Sequence, residues 1–103
     1  MNQKQFVKRM KELHLQAVSI SKNKSTDYAG KEDPFRNFRA CSTYNIDPLK
    51  GFIVRMSDKL MRISNLIDAE AQVSDESIED TLLDLSNYPL IMRLYIESEK
   101  GKK

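Results

Sequence analysis

Glu76, Asp80 and Asp84 recur every four residues, so a helix would set them along one side of its surface. Carboxylates at that spacing point into one site and supply oxygen ligands to magnesium, which keeps several waters and binds substrate phosphates as well. A second stretch, VRMSDKLMRISN, brings Arg55, Asp58, Arg62 and Asn65 to one side of another helix, with Lys59 beside them. Asp58 would join the acidic set if the two helices pack with these sides together. Arg55, Lys59 and Arg62 would then stand at the rim to neutralise phosphate oxygens. The chemistry such a site supports is metal-assisted attack of water on phosphorus.

The elements that must hold these residues follow from periodicity. Phe6, Met10, Leu13, Ala17 and Ile20 form one stripe of an amphipathic helix from about Gln3 to Lys22, with His14 beside it as a partly buried structural side chain. Ser, Thr, Asn, Asp, Gly and Pro then cluster from about 22 to 38, and a loop is expected there, pinned by Tyr28, Phe35 and Phe38. A short helix is expected from Pro34 to about Tyr44, with Cys41 as a small core residue. Asp47 and Pro48 give an N-cap and a first-turn proline for a helix to about Asp68 or Glu70, whose core side is Phe52, Met56, Leu60, Ile63 and Ile67. The last helix starts at Ser74, with Val73 and Ile78 as a staple, and Pro89 is expected to bend it. No stretch alternates as a strand, so the fold is expected to be all-α: a small bundle of three to four helices in a single domain over 1–103, with a basic tail at about 98–103.

A chain of 103 residues with 17 basic and 15 acidic side chains makes no electrostatic case for a nucleic-acid polymer as partner. One cysteine excludes an internal disulfide. The N-terminal residues contain no long apolar run, so neither a signal peptide nor a membrane span is expected, and the cytoplasm is the expected compartment. So small a core, with helices apolar on two sides, points to completion by a homo-oligomer.

The series KSTDYAGKEDPFRNF, VRMSDKLMRISNL and DESIEDTLLDLSNYPLI resembles the first nucleotide-modification-associated domain family of small phage and bacterial proteins. That family is similar in turn to the MazG-like, all-α nucleoside triphosphate pyrophosphohydrolases. The resemblance spans about Lys24 to Ile91 and implies a MazG-like helical fold, usually oligomeric, with a nucleotide between helices. It implies Asp58, Glu76 and Asp80 as catalytic residues, which with Asp84 would hold Mg2+. It also implies Asp27, Tyr28, Phe35, Asn37, Lys59 and Arg62 around the ligand. The expected ligand-binding set adds Lys24, Arg55 and Asn87 from the residues themselves, with Arg55, Lys59 and Arg62 on phosphates, Tyr28 or Phe35 stacking on the base and Asn37 or Asn87 bonding to it. MazG-like enzymes carry two glutamates three residues apart on the first core helix, where this chain has Arg55 and Asp58. A cation in a ligand position weakens a metal site and favours direct protein–phosphate contact. Two functions are therefore expected: hydrolysis of a (d)NTP with magnesium, or sequestration of a nucleotide or cyclic nucleotide signal without turnover, as a phage anti-defence protein would do. A helical interaction module without a ligand is the third.

Overall fold

The structure, a computed structural model, describes residues 1–29, 33–69 and 75–101, with side chains at 1–24, 33–69 and 78–101. Every regular element in it is helical: α1 (Gln3–Ala29), α2 (Arg36–Arg39), a 3-10 helix (Ala40–Tyr44), α3 (Pro48–Asp68) and α4 (Asp75–Lys100). The all-α expectation holds. Asp47 caps α3 as its sequence requires, its carboxylate accepting from the Leu49 N–H at 2.9 Å with Pro48 in the first turn. The 3-10 helix ends at Asn45, whose φ of 61° is the left-handed conformation that asparagine tolerates better than most residues.

The expected loop at 22–38 is corrected over its first part, since α1 continues to Ala29. Ser25, Thr26 and Asp27 disfavour a helix by only tenths of a kcal/mol each relative to better formers, and neither Gly nor Pro occurs before Gly30. Asp27 and Tyr28 thus lie on a helix backbone, and their side chains, like the proposed Val73 staple, lie outside the described residues. The expected short helix is present as α2 and the 3-10 turn. Pro89 is accommodated inside α4, which runs on to Lys100.

The strongest packing is α3 against α4, while α1 crosses α4 and touches α2. At the centre Phe52 is fully buried. Phe38 stacks on it at 4.5 Å between ring centroids, and Tyr95 lies 6.0 Å away on its other flank. The smallest dimension of the molecule is 22 Å, the thickness of about two helices with their side chains. Two layers leave each helix with an outer side, which corrects several core expectations. Phe6, Met10, Leu60 and Ile67 are exposed although their spacing put them in the buried stripes, and His14 is exposed rather than partly buried. Among the described residues no helix is long and apolar enough to cross a membrane.

Candidate functional site

Asp84 is the centre of the observed site, and it is held by cations. Its carboxylate receives Lys24 of α1 at 2.6 Å on one oxygen and Lys59 of α3 at 2.8 Å on the other. The Asp84 side chain is 13% exposed. Burial alone would raise its pKa, but the hydrogen bonds and charges of Lys24 and Lys59 outweigh that cost and hold the carboxyl below its ordinary range. Because the two lysines come from different helices, one α4 carboxylate fastens α1 and α3 to the same point.

This ion group borders a cavity of about 390 Å3. Ser21 and Lys24 enter from α1, Pro34, Phe35, Asn37 and Phe38 from the segment around α2, Arg55 and Lys59 from α3, and Asp84, Asn87, Tyr88, Ile91 and Leu94 from α4. Most of the ligand-binding residues expected from sequence therefore meet here: Lys24, Phe35, Asn37, Arg55, Lys59 and Asn87. The Arg55 guanidinium carbon lies over Phe38, 4.6 Å from the ring centroid, and Arg55 donates to the Asn37 carbonyl at 3.3 Å. Asn87 is buried and donates from Nδ2 to the Ala17 carbonyl at 2.9 Å, which fixes its amide orientation because a carbonyl only accepts.

Arg55, Lys59 and Tyr88 also line an adjoining open groove of about 620 Å3 that contains Asp58, Arg62 and Asn65. Arg55, Asp58 and Arg62 share this side of α3 as expected, but Asp58 does not organise it: Arg55 turns to Phe38 and Asn37, Lys59 turns to Asp84, and Asp58 is exposed. Asp80 stands elsewhere. It lines a third cavity of about 480 Å3 with Glu79 on α4 and Arg9, Met10 and His14 on α1. The separation has a geometric cause. Helix α1 is bonded to α4 at Ala17; its residues before Ala17 border the cavity of Asp80, and Ser21 and Lys24 beyond it border the cavity of Asp84.

Among the described residues no group of three or more His, Cys, Asp or Glu side chains is placed to hold a metal ion. Asp58 and Asp80 face different cavities, both Asp84 oxygens are engaged by lysines, and the Glu76 side chain lies outside the described residues. The described carboxylates thus do not form the expected Mg2+ site.

Sequence reasoning missed a second polar group at the end of the cavity. Arg39 pairs with Asp33 and, at 3.0 Å, with Glu99 near the end of α4, and its guanidinium lies 5.5 and 5.7 Å from the Phe35 and Tyr95 ring centroids. The hydrogen bond to Glu99 raises its pKa further, against the opposing effect of burial. Phe35 in turn meets Tyr95 edge-on at 5.7 Å. This clasp holds the cavity wall formed by Pro34–Phe38 against α4. The available signal was an arginine next to two phenylalanines in PFRNFR.

Comparison with known protein families, curated proteins and solved structures gave no match. The resemblance drawn from sequence rests on its quoted motifs alone.

Proposed function

We propose that this protein binds a nucleotide, and that it does so by direct contact between cationic side chains and phosphate. The observation that carries the reading is the meeting of Phe35, Phe38 and Tyr88 with Lys24, Arg55 and Lys59 around one cavity. Its volume falls in the range of small-molecule sites, roughly 300 to 1,000 Å3. Phe35 and Tyr88 supply aromatic surface for a base, Phe38, stacked on Phe52 and covered by Arg55, sets that arginine in the cavity wall, and Asn87 supplies a fixed amide. Lys24 and Lys59 keep further N–H donors beyond those given to Asp84, because an ammonium group has three. Arg55 and Lys59 lead from the cavity into the groove with Arg62, a path along which a chain of phosphates meets successive cations. The binding form is taken to be a homo-oligomer, since the single chain leaves so many large apolar side chains in water.

The test is titration of the protein with nucleoside mono-, di- and triphosphates and with cyclic nucleotides, in EDTA and again in magnesium. Binding in EDTA, weakened about tenfold or more by Arg55→Ala and by Lys59→Ala, is the expected result. A requirement for magnesium, with release of pyrophosphate that disappears in Glu76→Ala and Asp80→Ala, would replace this reading with the pyrophosphohydrolase. No binding in either condition, with capture of a protein partner instead, would favour the interaction module.

A further inference from the structure

Helix α3 carries an apolar pattern that the monomer covers only in part. Leu49, Ile53, Met56, Leu60, Ile63 and Ile67 alternate at spacings of four and three, the a/d pattern of a coiled-coil seam sustained along the whole helix. Phe52, one position off this line, faces the core. Met56 and Ile63 are half-buried, but Ile53, Leu60 and Ile67, each seven residues from the next, are 52%, 56% and 54% exposed. None of the three lines any of the cavities described above.

The surface as a whole leaves area enough for a partner. A compact monomer of this mass exposes about 6,000 Å2, whereas this chain exposes 8102 Å2. An interface of ordinary size removes about 800 Å2 from each partner, well within that excess.

We infer that α3 pairs with α3 of a second copy, antiparallel, with the twofold axis beside Leu60. The row is symmetric about its middle residue: in an antiparallel pair Leu60 meets its own equivalent, and Ile53 meets Ile67 of the other copy. Ser57 and Ser64 flank the row with small side chains that permit close approach. Charge selects the direction. Lys50 and Asp68 are both exposed and project to the same flank of the row at about 100° per residue. An antiparallel pair keeps equivalent residues on one flank and brings each Lys50 near an Asp68, whereas a parallel pair sends them to opposite flanks and forms no such contact. No residue of this row lines the cavity, so pairing does not take a wall of it.

Sedimentation equilibrium of the full chain from about 1 to 100 µM, a span that covers a micromolar Kd, tests the inference. The expected mass is roughly twice the 11.9 kDa of one chain. Leu60→Lys is expected to give a monomer with unchanged helical circular dichroism. Lys50→Glu is expected to weaken pairing about tenfold across its two equivalent ion pairs, and adding Asp68→Lys to restore it. Both Lys50 and Asp68 are exposed, so this pair decides the matter even if Leu60→Lys loses helicity. A monomeric wild type, a dimer untouched by Leu60→Lys while helicity is kept, or a charge reversal that the second substitution does not rescue would each overturn the inference.

Discussion

Replacing Asp84 by asparagine keeps the side chain's shape and removes its charge, which separates an ion-pair pin from a metal ligand. In the structure the carboxylate accepts charge-assisted bonds of 2.6 and 2.8 Å from Lys24 and Lys59, whose side chains are 47% and 30% exposed. A buried pair broken by loss of one partner costs about 3 to 5 kcal/mol, and an exposed pair about 0 to 1. The lysines sit between those limits, and relief of Asp84's own burial offsets part of the loss, so Asp84→Asn is expected to cost about 1 to 2 kcal/mol. For a domain of this size that lowers Tm by roughly 5 to 15 °C. Thermal and urea unfolding of Asp84→Asn, Lys24→Ala, Lys59→Ala and their combinations would measure it. The coupling of Asp84 to each lysine should exceed about 0.3 kcal/mol, the scatter of independent sites. If Asp84→Asn matches wild type and both couplings vanish, the carboxylate is not a pin. If instead magnesium stabilises the wild type and Asp84→Asn abolishes that effect, the carboxylate is a metal ligand and the ion-pair account is wrong.

The same group gives a pH dependence. Its folded pKa lies below the unfolded value of about 3.9, so its contribution is present in full above that value and lost as the pH falls through and below it. Stability curves of wild type and Asp84→Asn should therefore converge below about pH 4, and curves that stay parallel would refute the assignment. A Cβ at Gly51 would meet the Cys41 sulfur at 3.0 Å, where the 3-10 turn rests on α3. Gly51→Ala is thus expected to gain little in the wild type, but about 0.5 to 1 kcal/mol in a Cys41→Ala background, where helix propensity acts unopposed. Equal effects in both backgrounds, by urea denaturation, would show that the sulfur does not limit that position.

Local signals in the sequence proved more reliable than relational ones. Asp47 and Pro48 placed the start of α3 because capping is decided within a few residues. The end of α1 was misplaced because the polar run at Lys22–Tyr28 has the composition of a loop, while the attachment of Lys24 to Asp84 depends on a residue far along the chain. The cations Lys24, Arg55 and Lys59 and the ring of Phe35 were named from the sequence, in part through the motif resemblance, whereas Tyr88 was not. The carboxylates were not, because helical spacing states which residues share a side but not which side meets which neighbour. Asp80 and Asp84 are one turn apart on α4, yet they border different cavities with different segments of α1. The exposure of Leu60 and Ile67 escaped for a related reason: periodicity marks an apolar stripe without saying whether the chain itself supplies its cover.

The attachment of α1 differs in kind from that of α3 and α4. Phe38, Phe52 and Tyr95 form the aromatic core without any residue of α1, which meets α4 through the buried Ala17, the Asn87 bond to its carbonyl and the ammonium of Lys24. Opening of α1 alone would leave α3 and α4 packed and would remove one wall of the cavity. Amide exchange in α1 should accordingly report a local opening below the global unfolding free energy, and a ligand that bridges Lys24 and Lys59 would slow that exchange in proportion to its affinity. Release of a tightly held ligand would then follow the detachment of α1 from α4.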